Sequence, residues 1–135
     1  NNVIKESMLF LEHILESIDK IEEFSNGLTV QGLLRDKLRQ SAIIREIEVI
    51  GEAIKNLPIE FVNKYSFIPW AEFARMRDKL IHHYFGVDWE IVWKVIKDEL
   101  PVIKEKINKV LTEEIKIKDY EQKIEKTEKN KSKKL

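Results

Sequence analysis

Apolar side chains recur every three or four residues along most of the chain, the spacing of one buried face on an α-helix. The pattern predicts four long helical stretches. They cover residues 3–24, 28–57, 70–84 and 89–111. Because the connections between them are short, the pattern favours an up-and-down bundle of four or five helices. The predicted fold class is therefore all-α.

Glycine and proline mark the ends of the first two stretches. Gly27 follows the first stretch at the place where a helix commonly ends. Gly32 is expected to separate a short turn from the start of the second stretch, and Pro58 is expected to end it. Residues 58–69 are interpreted as a loop that contains about one helical turn.

Similar signals divide the second half of the chain. Pro69 is predicted to be the first residue of the third helix and Asp88 the N-cap of the fourth. Pro101 lies inside the fourth stretch and should kink or restart it. Two parts result: a helical domain over residues 1–111, and a Lys/Glu-rich helical extension or flexible tail over 112–135.

Composition removes several classes of protein. The chain has 135 residues and no cysteine, which excludes disulfide scaffolds, thiolate metal sites and cysteine nucleophiles. The absence of cysteine fits a reducing compartment, so we expect a cytoplasmic location. No apolar run reaches the ~18–20 residues of a membrane span, and the four glycines form no phosphate-binding loop. We therefore expect no membrane association and no cofactor.

Charge excludes a polycationic coat protein, since 24 basic residues balance 24 acidic ones. The neutral sum nevertheless hides a local cluster between residues 69 and 93. Its polar members are Arg75, Arg77, Asp78, Lys79, His82, His83 and Tyr84. Histidine is suited to proton transfer near neutral pH, and arginine matches the oxygens of a phosphorane. An Arg and a His held together form a minimal site for RNA cleavage without a metal ion.

Helix geometry complicates that site. Arg77 and His82 are five residues apart and would diverge by about 140° on an ideal helix, whereas Arg77 and Tyr84 would share a face. Either the helix ends near Ile81 or a second subunit completes the site. From residue types alone, an exposed charged face remains an alternative. A metal site at His82 and His83 is disfavoured because adjacent histidines do not share a helix face.

The motif itself resembles a known family. Arg77, His82 and Tyr84 match the R-x4-H-x-Y signature of HepT-type toxins in the HEPN superfamily of ribonucleases. The flanks are similar in the same order: IGEA at 50–53, IPW at 68–70, YFGVDWEIVW at 84–93 and DELP at 98–101. The likeness covers roughly residues 3–111.

The resemblance implies a HEPN-like helical bundle, a homodimer, and a metal-independent endoribonuclease that is the toxin of a type II toxin–antitoxin system. The implied antitoxin is a minimal nucleotidyltransferase that silences the toxin by transferring AMP to Tyr84. Within this scheme Arg77 and His82 are the catalytic residues. Arg77 stabilises the phosphorane, and His82 is the general acid/base.

Other residues receive supporting roles under the same resemblance. Asp78, His83 and Glu52 are possible partners of the catalytic groups, and Arg75 and Lys79 are expected to attract RNA. Two other functions remain open. One is a non-catalytic dimeric HEPN adaptor that binds a nucleotidyltransferase or a nucleotide, and the other is a plain structural bundle.

Overall fold

The computed structural model describes residues 2–82 and 86–134, with only the backbone given for His82. Within those ranges the chain forms eight α-helices, one π-helical turn and one pair of two-residue strands. They are α1 (Asn2–Ser25), α2 (Val30–Arg35), α3 (Lys37–Lys55), α4 (Ile59–Lys64), α5 (Trp70–Ala74), α6 (Met76–Leu80), β1 (Ile81–His82), β2 (Gly86–Val87), α7 (Trp89–Lys94), the π-turn (Val95–Glu99) and α8 (Leu100–Lys134).

Three long helices, α1, α3 and α8, form the bundle, so the predicted all-α fold class is confirmed. Helix α1 packs along α3 and also against α8, while α5 and α6 pack on α3. The inward stripes meet in one core. Its fully buried members on the long helices include Leu11, Ile14, Ile18, Ile21, Ile43, Ile47, Ile50, Leu100 and Ile107. Each such side chain contributes about 1.5–3 kcal/mol on burial.

Two buried carboxylates join helices inside this bundle. Glu46 on α3 accepts a hydrogen bond from the Ser17 hydroxyl on α1 at 3.1 Å. Glu114 on α8 is only 3% exposed and accepts hydrogen bonds from Lys64 Nζ, at 2.5 Å, and from the Tyr65 hydroxyl. A buried carboxylate is tolerated only with such donors, so each one fixes how its two segments pack.

The second predicted stretch breaks at a different residue from the one expected. Gly32 lies inside α2, and the interruption falls at Asp36, whose φ of −106° and ψ of 88° leave the helical region. The Asp36 carboxylate accepts from the backbone N–H of Arg39 at 3.0 Å and so caps α3. That hydrogen bond, and then the Arg39 guanidinium, hold the pKa of Asp36 below its usual value.

The predicted helix over residues 70–84 is wrong in its second half. The structure has two five-residue helices, α5 and α6, joined at Arg75, and the chain becomes extended at Ile81. Strand β1 pairs antiparallel with β2, with Ile81 opposite Val87 and His82 opposite Gly86. Gly86 has a φ of +76°, which L side chains rarely adopt. Tertiary pairing has replaced the helix that the pattern favoured.

Smaller expectations on either side of this segment fare better. The loop over 58–69 contains the short helix α4, and α5 begins at Trp70, one residue after the predicted Pro69. Asp88 caps α7, accepting from the backbone N–H of Ile91 at 3.2 Å, as predicted.

The fourth predicted stretch is interrupted before Pro101, as expected. Pro101 has no N–H to donate to the carbonyl of Lys97, and the helix widens into the π-turn just ahead of it. Beyond it, α8 continues to Lys134 with its residues mostly exposed after Glu114. None of the described helices is both long and apolar enough to cross a membrane.

Candidate active site

A glycine in α3 sets the position of the segment that carries the motif. A Cβ at Gly51 would lie 3.4 Å from the carbonyl oxygen of Ala74 and 3.8 Å from Cβ of Arg77. Gly51 is itself buried, so α5 and α6 approach the α3 backbone closely at this point. Any longer side chain there would push them away. The IGEA run therefore acts as a seat for Arg77.

Helix α6 holds Arg77 between two anchors. Met76 and Leu80 on the same short helix are buried in the core. The Arg77 side chain lies between them in sequence and is 35% exposed. Its Nη1 donates a hydrogen bond to Oδ1 of Asp78 at 3.3 Å. The guanidinium is thus held at the surface with one flanking carboxylate, and its remaining N–H groups can reach a phosphate.

Arg77 opens onto a groove of about 460 Å³. Its walls come from three helices: α6, the outer face of α3, and α1. The lining side chains are Phe10, His13, Arg45, Glu48, Val49, Glu52, Lys55, Asn56, Arg77 and Asp78. We call this space the Arg77 groove.

Glu52 lines this groove, but its described contacts are with its own helix. Its Oε1 accepts a hydrogen bond from Nδ2 of Asn56 at 3.3 Å. Within residues 2–82 and 86–134, no ion pair joins Glu52 to Arg77. The structure therefore brings Glu52, Asp78 and Arg77 to one groove while pairing only the last two.

Arg75 and Lys79 face a different groove, of about 610 Å³, on the other side of α6. That second groove lies between α5–α6 and the start of α8, and its floor is apolar, with Phe73, Met76 and Ile103. Lys79 Nζ lies 3.7 Å from Oε1 of Glu99 in the π-turn. Asp78 lines both grooves. The predicted RNA-attracting cations are therefore separated from Arg77 by the body of α6.

The remaining motif residues follow the end of the helix. Because α6 ends at Leu80, the angular separation of about 140° between positions 77 and 82 on a continuous helix does not apply. His82 begins the return through β1, and its side chain lies outside the described part of the chain. His83 and Tyr84 also lie outside the described residues.

Three residues of the Arg77 groove were missing from the candidate set: Phe10, His13 and Arg45. Phe10 and His13 are three residues apart on α1, so they share a face that the core pattern left unexplained. Arg45 lies on the solvent side of α3, seven residues before Glu52. A polar stripe on each helix was visible in the sequence, but only the packing of α1 on α3 shows that the two stripes meet.

A search for metal-binding clusters found no group of three or more His, Cys, Asp or Glu side chains within the described ranges that could hold an ion. The chemistry available at the Arg77 groove is that of its own side chains: a guanidinium, carboxylates and an imidazole from α1.

Comparison with known proteins agrees on one family. Residues 14–110 match the family model described as ribonuclease HepT-like. A Thermococcus cleftensis protein named "Probable ribonuclease HepT" is 50% identical over 101 residues, covering 75% of this chain and 92% of the relative. A Methanocaldococcus jannaschii protein named "Putative RNase" is 50% identical over 97 residues, covering 72% and 80%.

A second M. jannaschii relative is longer. It is named "Gamma-glutamylcyclotransferase and putative RNase" and is 52% identical over 109 residues, which are 81% of this chain. The chain spans about half of that relative, 49% of its length. No solved structure gave a significant match. The family match and these identities together show that the chain belongs to the HepT-like ribonuclease family.

Proposed function

We propose that this chain is an endoribonuclease that cleaves RNA without a metal ion and serves as the toxin of a type II toxin–antitoxin pair. One observation carries the proposal: Arg77 is seated by Gly51 at the mouth of a groove, five residues before His82. Family membership supports the ribonuclease part. The toxin part is supported by the likeness to HepT-type toxins.

The proposed reaction is a transesterification within the RNA. His82 removes the proton of a 2′-hydroxyl, and the 2′-oxygen attacks the adjacent phosphorus. The bond from phosphorus to the 5′-oxygen of the next nucleotide breaks, and that oxygen takes a proton. Arg77 stabilises the two negative charges of the phosphorane through its fork of N–H groups. The products are a 2′,3′-cyclic phosphate and a 5′-hydroxyl end.

Asp78 is proposed to orient Arg77 rather than to transfer protons. Its carboxylate already accepts from the guanidinium at 3.3 Å and is 60% exposed. In that position it restricts the rotamers of a long side chain before RNA binds. The roles of His83 and Glu52 as supporting groups remain proposals of the same kind.

A homodimer is proposed to complete the site. The reaction needs one group that accepts a proton and another that donates one, whereas the motif of one chain offers His82 with its neighbour His83. A two-fold axis through the motif would place two Arg77 and two His82 side chains around one cleft. Light scattering on the purified chain tests this directly, and a monomer at working concentration would contradict it.

Silencing is proposed to occur at Tyr84 through transfer of AMP from ATP by a nucleotidyltransferase antitoxin. An attached nucleotide would put a phosphate near Arg77 and cover the cleft that RNA must enter. Intact-mass measurement after incubation with that partner and ATP should show added AMP units, absent in Tyr84→Phe. An unchanged mass in the parent chain would contradict the modification.

The ribonuclease proposal is tested by incubating labelled RNA with the purified chain in excess chelator. The parent should cleave, leaving 2′,3′-cyclic phosphate ends, while Arg77→Ala and His82→Ala should each lose about 10²–10³-fold in rate. Lys79→Ala, a cation on the other side of α6, is the matched control. Equal cleavage by all four proteins would show a contaminant, and no cleavage by the parent would contradict the function.

A further inference from the structure

The Arg77 groove extends well beyond the catalytic candidates, across the outer face of α3 to α1. Arg45 lies on α3, and Phe10 and His13 lie on α1. None of these three belongs to the motif, and both helices are long and rigid. A strand entering at Arg77 would meet them next.

The charged groups of this groove differ in their engagement. It holds three cations, Arg45, Lys55 and Arg77, and three carboxylates, Glu48, Glu52 and Asp78. Asp78 is bound to Arg77 and Glu52 to Asn56. In the part of the chain that the structure describes, Arg45 makes no ion pair, although it is exposed. Its guanidinium is therefore available to a ligand.

The second groove shows the opposite arrangement. Lys79 lies 3.7 Å from Glu99, and Asp98 adds another carboxylate to the same lining. Arg75 lines that groove as well, beside Glu72. A polyanion bound there would face three further carboxylates, Glu72, Asp98 and Glu99, and would not reach Arg77 without crossing α6. The Arg77 groove is the more favourable path for RNA.

An aromatic ring completes the match to a nucleotide. Phe10 is half-buried, packs on the core, and also lines the Arg77 groove. Proteins that hold single-stranded RNA combine a cation for the backbone with an aromatic ring on which a base stacks. Phe10 and Arg45 supply that pair from two adjacent helices, with His13 beside them on α1.

Resting on the proposed ribonuclease function, we propose that the Arg77 groove binds the single-stranded RNA that flanks the scissile phosphate. Arg45 contacts a backbone phosphate and Phe10 stacks on a base. His13 donates a hydrogen bond to the same nucleotide. Arg75 and Lys79 lie off this path and contribute only diffuse attraction.

Binding is tested with a short single-stranded RNA in which every 2′-hydroxyl is methylated, so that it cannot be cleaved. Fluorescence anisotropy should show about 5–10-fold weaker binding for Arg45→Ala, with the salt dependence of log K reduced by about 0.7. Phe10→Leu keeps the apolar volume but removes the ring, and should weaken binding at least about fivefold, from a stacking contribution of about 1–3 kcal/mol. Lys79→Ala should change affinity less than about twofold.

A substitution of opposite sign guards against a merely structural effect. Glu48→Gln removes a carboxylate from the Arg77 groove and should strengthen binding about two- to threefold, because like charge no longer opposes the phosphate. Circular dichroism should show the parent fold in each variant.

The outcomes separate this proposal from the function on which it rests. If the parent cleaves RNA but Arg45→Ala and Phe10→Leu bind like the parent, the groove proposal is wrong and the ribonuclease stands. Larger losses from Arg75→Ala and Lys79→Ala would move the path to the second groove. If the parent binds with the predicted pattern but cleaves no RNA, the groove stands and the ribonuclease proposal fails.

Discussion

The helical body and the site segment of this protein are stabilised in different ways. The body consists of α1, α3, α4 and α8, joined by an isoleucine-rich core and two buried carboxylates. The site segment, residues 70–88, is a series of two five-residue helices and two two-residue strands. Helices this short are unstable alone, so the segment depends on the body for its conformation.

The difference separates stability from chemistry. Body residues such as Glu114 lie far along α8 from the motif and contact only other body residues. Site-segment residues such as Arg77 are partly exposed and contact few core groups. We therefore expect substitutions in the body to change the free energy of unfolding, and those in the site segment to change cleavage. Gly51 is the point where the two regions meet.

The largest effect is expected from Arg77→Ala. It should lower the cleavage rate about 10²–10³-fold, a loss of about 2.7–4 kcal/mol of transition-state stabilisation. The free energy of unfolding should change by less than about 0.5 kcal/mol, because the side chain is partly exposed. Cleavage assays and urea denaturation measure the two. Arg75→Ala is the control, and a comparable rate loss there would remove the distinction between the two sides of α6.

Glu114→Ala should have the next largest effect, on stability alone. It leaves the buried Tyr65 hydroxyl without an acceptor and Lys64 without its partner, which costs about 3 kcal/mol. Urea denaturation should show this loss, while the cleavage rate per folded molecule stays unchanged. Glu113→Ala removes the adjacent, exposed carboxylate and should be nearly neutral. Equal loss from both variants would contradict a specific buried contact.

Substitutions of Gly51 test the junction. Gly51→Leu should destabilise the protein by about 1–3 kcal/mol and also slow cleavage, because the side chain forces α5 and α6 off α3. Gly51→Ala should instead stabilise it by about 0.5–1 kcal/mol, since the added Cβ makes ordinary contacts and alanine favours the helix. Unaltered cleavage in Gly51→Leu would show that Arg77 does not need this seat.

High pH should weaken the body through Tyr65. Burial and then the Glu114 carboxylate raise the pKa of the Tyr65 hydroxyl well above its usual range. Since the folded state favours the neutral phenol, this contribution is fully present below the unfolded pKa of about 10 and is lost as pH rises above it. The free energy of unfolding should therefore fall up to about 1.4 kcal/mol per pH unit more steeply in the parent than in Tyr65→Phe.

Comparing the two proteins removes the background from the lysines, among them Lys104, whose pKa is raised by Asp19 and Glu22. Parallel pH profiles for the parent and Tyr65→Phe would contradict the assignment.

The smallest effect is expected from truncation after Lys118. The residues removed are exposed and make no contact with the body among those the structure describes, so the free energy of unfolding should change by less than about 0.5 kcal/mol. Denaturation and cleavage of the truncated chain check this. A large loss of either would place a function of the bundle in the tail and move the predicted boundary at residue 111.

The sequence pattern predicted the body better than the site. The stripes on α1 and α3, the stop at Gly27 and the cap at Asp88 follow from periodicity and local hydrogen bonding, and the structure has them. The break at Asp36 was missed because Gly32 tolerates a helix, whereas a capping carboxylate interrupts one. The helix over 70–84 was overextended because the pairing of Ile81 with Val87 is a contact that local propensity does not encode.

The sequence by itself determined the all-α class, the long helices and the R-x4-H-x-Y motif that indicates the family. Each depends on neighbours within a few residues along the chain, so the order of side chains is sufficient. Only the tertiary structure decided that Arg77 faces Arg45 and Phe10 while Arg75 and Lys79 face away. That division depends on how closely α6 packs on Gly51 and on the side of α3 that meets α1, and both are set by packing between distant segments.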